Sequence, residues 1–227
     1  MSIGVSRQIN EFEPWQWGPY AEALCSAAGD ASLRDAEGWC LPLDVHRWQA
    51  RADTVDCGVV DRCAGSVLDI GCGAGRLVAE AARRGHRVLG VDVCPTAVIS
   101  TACRGGTALS RSVFGPLPGE GSWGTALLLD GNIGIGGDPR RLLERVRGLV
   151  RFRGLLIVEA APADVDERRR VRIHAGRKQA SPVFAWANVG SRALMVHGGK
   201  SGWTPVEQWI EASPAGERHF VALRARF

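Results

Sequence analysis

The densest chemistry in this 227-residue sequence lies in "VLDIGCGAGRL", Val67 to Leu77, where the carboxylate Asp69 precedes glycines at alternate positions, Gly71, Gly73 and Gly75. The apolar residues before the glycines read as a strand. The residues after them, "GRLVAEAARRG", read as a helix with Leu77, Val78, Ala81 and Ala82 on one face and Gly85 as its C-cap. A strand that ends in a glycine turn and opens a helix is a nucleotide-type site, because glycine backbone admits a ligand closely and the helix N-terminus offers free N–H groups. The dinucleotide fingerprint G-x-G-x-x-G fails here, since Arg76 stands where its third glycine belongs. A phosphate loop fails as well, for want of a Gly-Lys-Ser/Thr ending. The glycines alone also admit a tight turn with structural duty only.

"LDIGCGAG" resembles the first motif of class I S-adenosylmethionine-dependent methyltransferases, an acidic residue, a spacer and Gly-x-Gly-x-Gly. The resemblance covers about residues 53–227 and implies S-adenosylmethionine as cofactor and S-adenosylhomocysteine as product. Asp69 would then order the loop and meet the cationic methionine end, with Gly71, Cys72, Gly73 and Gly75 forming the turn. A second acid at the end of the next strand would accept the ribose hydroxyls, and Asp92 in "VLGVDVCP" stands 23 positions beyond Asp69, followed by Val93 and by Pro95 opening a helix. Many members hold the adenine amino group with an acid after the third strand; this chain has Ser112, so that hydroxyl or the Val113 backbone would serve. Asp130, Gly131 and Asn132 in "LLLDGNIGIGGDP" would face the methionine amine or the acceptor, with Gly134, Gly136 and Gly137 giving room and mobility. Arg47 is the candidate for the cofactor carboxylate, its alternative being a solvated surface arginine.

Strands that hold these residues are expected at Ser66–Ile70, Arg87–Val93, Ala108–Val113, Thr125–Asp130, Leu155–Glu159, Val206–Glu211 and His219–Ala225, alternating with amphipathic helices. One of those helices opens at Asp138-Pro139 and another lies near Val189–Gly198. Only "SPAGERH" separates the last two strands, too short for a helical crossover, so they must pair as an antiparallel hairpin. The expected fold is α/β, a Rossmann-like, doubly wound seven-stranded sheet with an antiparallel last strand. Residues 1–52 form an N-terminal helical cap, with a short hairpin around "GWCLPLDVHRW", and residues 53–227 the main domain. An insertion at 164–187, after the fifth strand, forms a lid whose Arg170 to His174 alternate polar and apolar.

Methyl transfer from a sulfonium is an in-line displacement in which the protein aligns, desolvates and, where needed, deprotonates the acceptor. Asp130 and His174 are the candidate bases. Trp15, Trp17, Tyr20 and Trp186 are candidates for an apolar substrate wall, the alternative for each being a place in the core. The sequence lacks an Asx-Pro-Pro-aromatic signature after the fourth strand, any cysteine after Cys103, a glutamate pair after that strand, and an Asp-Asn pair after the next. These absences disfavour amine methylation of bases or glutamine, pyrimidine C5, arginine and metal-dependent catechol chemistry in turn, and no metal is expected. A small-molecule acceptor remains. Arg168, Arg169, Arg170, Arg172, Arg177 and Lys178 would guide an anionic one, unless they are a solvated face. The same run keeps open an RNA methyltransferase, and a protein of this fold that binds the cofactor without transferring methyl is the third alternative.

The net charge of +4 permits an anionic partner without requiring one, and nucleic-acid binders usually cluster more charge. Seven cysteines with no Cys-x-x-Cys pair read as reduced cytoplasmic thiols rather than a disulfide framework or zinc site. Only Lys178 and Lys200 are lysines among 28 basic residues, as a GC-rich bacterial gene would give. No signal peptide or membrane span is expected, and the chain is expected to be a monomer or homodimer.

Overall fold

The computed structural model describes residues 13–16, 18–25, 30–176, 180–214 and 216–226. In chain order the strands are β1 (Asp30–Arg34), β2 (Cys40–Asp44), β3 (Val67–Ile70), β4 (Val88–Asp92), β5 (Ala108–Ser110), β6 (Trp123–Leu128), β7 (Val150–Ala160), β8 (Asp166–Ala175), β9 (Phe184–Val189), β10 (Trp203–Ser213) and β11 (Gly216–Ala225). The helices are α1 (Glu13–Gln16), α2 (Pro19–Cys25), α3 (Val45–Gln49), α4 (Thr54–Asp61), α5 (Arg76–Arg83), α6 (Pro95–Cys103), α7 (Pro139–Leu149) and α8 (Ser191–Lys200).

Seven strands form the main sheet in the order β10-β11-β7-β6-β3-β4-β5. Neighbours from β7 to β5 are parallel, and β11 is antiparallel to both β7 and β10, as the short connection between the last two strands requires. The chain starts at the centre with β3, winds outward through β4 and β5, then crosses to β6 and β7. The order therefore reverses beside β3, and the crevice at the carboxyl ends of β3, β4 and β6 is where an open α/β sheet binds its ligand.

Strands β3 and β6 are buried along their whole length because helices cover both faces. Leu68, Ile70, Ala126 and Leu128 join Val146 of α7 and Leu194 of α8 on one face. Val67, Leu127 and Leu129 join Val59 and Val60 of α4 and Leu77 of α5 on the other. Helix α7 starts where expected, the Asp138 carboxylate accepting from the amides of Arg140 and Arg141 with Pro139 in the first turn.

Three expectations are corrected. Strand β5 stops at Ser110, because Ser112 to Gly115 make a turn closed by the Gly115 amide on the Ser112 carbonyl at 3.0 Å. The N-terminal hairpin comprises β1 and β2, ahead of its expected position: Asp35 caps its turn by accepting from the Glu37 and Trp39 amides, while Asp44 caps α3 by accepting from the Arg47 amide. The "VHRW" segment is accordingly helical. Nor is the cap purely helical: β1 pairs with β8, so cap and insertion build one four-stranded sheet in the order β2-β1-β8-β9. Its inner face, with Leu33, Val171, Ile173, Phe184 and Trp186, packs with Tyr20 and Leu24 of α2 and Ala97 of α6.

Candidate functional site

A cavity of about 1040 Å³, counting its open mouth, lies in the crevice beside β3. Its floor contains Asp69, Gly71, Cys72, Gly73, Arg76, Asp92, Val93, Ser112, Val113, Asp130 and Asn132. Its roof comes from the cap and insertion: Trp15, Tyr20, Leu43 and Trp48 on one side, Phe184, Ala185 and Trp186 on the other.

The glycine loop is locked from several directions. The Gly71 and Cys72 amides donate to the Val91 carbonyl at 2.8 and 3.1 Å, tying the turn to β4. Asp92 accepts from the Gly73 amide at 3.0 Å and from the Cys94 amide at 2.9 Å, one bond to each carboxylate oxygen. Beneath the loop the fully buried Thr101 hydroxyl contacts the Gly73 and Ala97 carbonyls at 3.2 and 3.0 Å. Gly75, at φ +82°, caps α5 in the left-handed region, and a Cβ there would lie 2.6 Å from the Thr101 hydroxyl oxygen. Gly75 thus serves the turn and its packing and is not among the lining residues.

Asp69 is 2% exposed, and its Oδ2 has no hydrogen-bond partner among the described residues. Burial pushes its carboxyl up to about 7; Arg76 opposes this, while Asp130, Asp92 and Asp56 add to it. Burial likewise pushes Asp92 up to about 6 against the Cys94 and Gly73 amides and the Tyr20 hydroxyl, which favour its ionised form.

Asp130 sits at φ +55°, a conformation that few residues other than glycine tolerate and that Asp adopts more readily than most. Its amide donates to Glu159 at 2.9 Å, and its carboxylate is gripped by Arg47 and by Arg76, the latter at 2.7 Å. Arg76 also pairs with Asp56, and Arg218 bridges Asp56 at 3.0 Å to Glu159 at 2.8 and 2.9 Å. Asp56 is fully buried, Arg76 4% exposed and Arg218 6% exposed. Burial alone would raise the Asp56 carboxyl, but Arg76 and Arg218 hold it below the usual carboxylate range.

The remaining candidates divide plainly. Arg47 and Gly131 do not line the cavity; Arg47 is spent on Asp130 and Asp56. Asn132 lines it, but its amide nitrogen donates to the Ile70 and Gly71 carbonyls at 3.0 Å each, which makes it a clamp on the glycine loop. The Ser112 hydroxyl accepts from the Phe114 amide at 3.2 Å, and the Val113 carbonyl from Arg145 at 2.8 Å. His174 does not line the cavity, for it shares the outer face of β8 with the exposed Arg172 while Val171 and Ile173 point inward; burial, Arg34 and Arg172 push its pKa down. Trp17, Arg177 and Lys178 lie outside the described residues. Packing accounts for two of the glycines after β6: a Cβ on Gly134 would lie 2.3 Å from the Trp186 ring and one on Gly137 2.5 Å from the Ala185 side chain, and Ile135 bridges to Trp186, so the loop is pressed against β9.

Sequence reasoning missed Arg76 as a site residue, noticing it only as a break in the dinucleotide pattern. It also missed Trp48, Phe184, Thr101 and the Asp56–Arg218–Glu159 network. Asp56 had a legible signal, a carboxylate amid Val55, Val59 and Val60 on the buried stripe of α4. Phe184 and Trp186 had another, their alternation along "FAWANV".

Residues 67–108 match a family model described as a methyltransferase domain. No curated protein matches the sequence. Among solved structures, an S-adenosylmethionine-dependent methyltransferase from Bacteroides fragilis in complex with S-adenosylhomocysteine is similar with a TM-score of 0.75 and 16% identity, over 96% of each chain. The 1,6-didemethyltoxoflavin-N1-methyltransferase of Burkholderia thailandensis gives a TM-score of 0.60 and 22% identity over 81% of this chain and 82% of that one. Magnesium protoporphyrin IX methyltransferase from Synechocystis PCC 6803 with bound S-adenosylmethionine gives 0.56 and 18% over 80% of each. The chain has the fold of class I methyltransferases.

Proposed function

We propose that the chain is an S-adenosylmethionine-dependent methyltransferase that moves a methyl group to a small-molecule acceptor by in-line displacement, without a metal. The observation that carries this reading is the unpartnered Asp69 oxygen, buried at the end of the central strand in the cavity that Asp92 also lines. A buried carboxylate oxygen without a donor is costly, and a cationic ligand group supplies what it lacks. The cofactor's ammonium suits Asp69, its ribose hydroxyls suit the Asp92 carboxylate, and its adenine suits the pocket by Val93, Ser112 and Val113. Bound there, the cofactor supplies an already activated methyl group on a sulfonium. The chain's own work is to bind, orient and exclude water: Asn132 and Thr101 fix the loop, the arginine pairs fix Asp130, and the roof closes over the reacting atoms.

Small molecules are favoured over RNA because the arginine run is engaged outside the cavity. Arg168 pairs with Asp166, Arg169 with Glu167 and Asp35, and Arg172 with the Ser181 carbonyl. Structural neighbours named for toxoflavin-precursor and magnesium protoporphyrin methylation support the same class. No described helix is long and apolar enough to cross a membrane; we place the activity in the cytoplasm. The experiment is incubation with tritiated-methyl S-adenosylmethionine and a metal-free small-molecule extract: labelled product and S-adenosylhomocysteine are expected, and binding without any transfer would leave a cofactor-binding protein of this fold.

A further inference from the structure

We propose that the acceptor is a flat, uncharged aromatic molecule methylated on a nitrogen. The proposal rests on the methyltransferase reading above and deepens it. Rings from two separate segments wall the roof. Trp15 lies 5.0 Å from Tyr20 and 5.2 Å from Phe184, both edge-on, and 5.3 Å from Trp186 at a 34° tilt. Tyr20 in turn meets Trp48 edge-on at 6.3 Å. Leu43, Ile135, Gly136 and Ala185 complete this half of the cavity, so it presents ring faces, ring edges and methyl groups. A planar ring gains offset and edge contacts there, whereas a carboxylate or phosphate would lose its water with no partner in return.

The cavity's acids sit on its floor, where Asp92 accepts from the Tyr20 hydroxyl. Asp69 and Asp92 close β3 and β4, and Asp130 is held between Arg47 and Arg76. All five histidines lie off the cavity. An alcohol or phenol acceptor would need a proton taken from it before or during attack, and the one hydroxyl among the wall residues, that of Tyr20, donates to Asp92 and is kept protonated by burial. A neutral nitrogen needs none. Its lone pair forms the N–C bond as the C–S bond breaks, the C–S electron pair stays on sulfur to give a thioether, and the positive charge passes from sulfur to nitrogen. A proton on that nitrogen then leaves to water. Aromatic faces stabilise a cation, so the ring wall favours the charge at its destination, a benefit an oxyanion acceptor would not draw.

The test uses three bicyclic probes of one shape, isoquinoline, N-methylisoquinolinium and 2-naphthoate, titrated into the protein saturated with S-adenosylhomocysteine, with tryptophan fluorescence as readout. The neutral and cationic probes are expected to bind at least about tenfold tighter than the anion. Trp15→Ala and Trp186→Ala should each erase that preference in protein whose far-ultraviolet circular dichroism matches the wild type, which reports that the variant is folded. Naphthoate binding as tightly as isoquinoline, a preference untouched in a folded Trp15→Ala, no binding by any probe, or methyl transfer from S-adenosylmethionine to 2-naphthol but not to isoquinoline would overturn the proposal. Failure of S-adenosylhomocysteine itself to bind the wild type would overturn the cofactor reading beneath it instead.

Discussion

Replacing Asp56 with Asn removes one charge and almost no volume from beneath the candidate cofactor site. Asp56 is fully buried and shared by Arg76 and Arg218, themselves nearly buried, and at 3.8 Å by Arg47; the change leaves Arg76 with Asp130 alone and Arg218 with Glu159 and, at 3.8 Å, Asp53. Breaking a buried pair from one side costs about 3–5 kcal/mol, because the remaining charge stays desolvated. At roughly 2–4 °C per kcal/mol for a chain of this size, the melting temperature should fall by about 6–20 °C. The Arg140–Glu144 pair is the internal control: both side chains are about half exposed, and Glu144→Gln should cost no more than about 1 kcal/mol. Scanning calorimetry on the two variants decides. An Asp56→Asn melting point as close to wild type as that of Glu144→Gln would refute the claim that this network supports the site.

Gly134→Ala should destabilise by about 1–3 kcal/mol, because its Cβ would meet the Trp186 ring at 2.3 Å and the Ala187 carbonyl at 2.4 Å. Gly131→Ala meets nothing within 4 Å and should cost only the strain of its φ of +80°, about 1 kcal/mol, as melting curves would show. For pH, burial raises Asp69 to about 7 and Asp92 to about 6, and a carboxyl raised on folding favours the folded state only while protonated. That contribution is complete below the unfolded pKa near 4 and disappears as pH rises through about 6 and 7. The ligand-free protein should therefore lose stability between about pH 4 and 7, and a cationic cofactor should bind more tightly as pH rises across the same window. The difference between wild-type and Asp69→Asn melting profiles isolates this effect from His174, whose depressed pKa acts in the opposite direction; no difference across the window would contradict it.

The sheet was legible because its signals are local: glycine spacing, apolar runs, the Asp138-Pro139 cap and a connection too short for a crossover. Asp69 and Asp92 followed from strand ends. Less legible was whatever long-range pairing decides. Nothing near Leu33 announces that its strand will pair with Ile173, so cap and lid read as separate pieces although they share a sheet. Arg47 and Arg76 look alike in sequence to any exposed arginine, and only the fold brings both to Asp130. The glycines after β6 suggested looseness because sequence shows what a residue lacks, whereas the Trp186 ring pressed on Gly134 shows why it must lack it.

Calorimetric titration of S-adenosylhomocysteine into the wild type and into Asp92→Ala tests the central claim most directly. The account predicts one site per chain, and at least about tenfold weaker binding once the carboxylate that receives the ribose hydroxyls is gone, since a hydrogen bond to a charged group contributes about 1.5–3 kcal/mol. Equal affinity in both proteins, or displacement of the ligand by NAD, would contradict it.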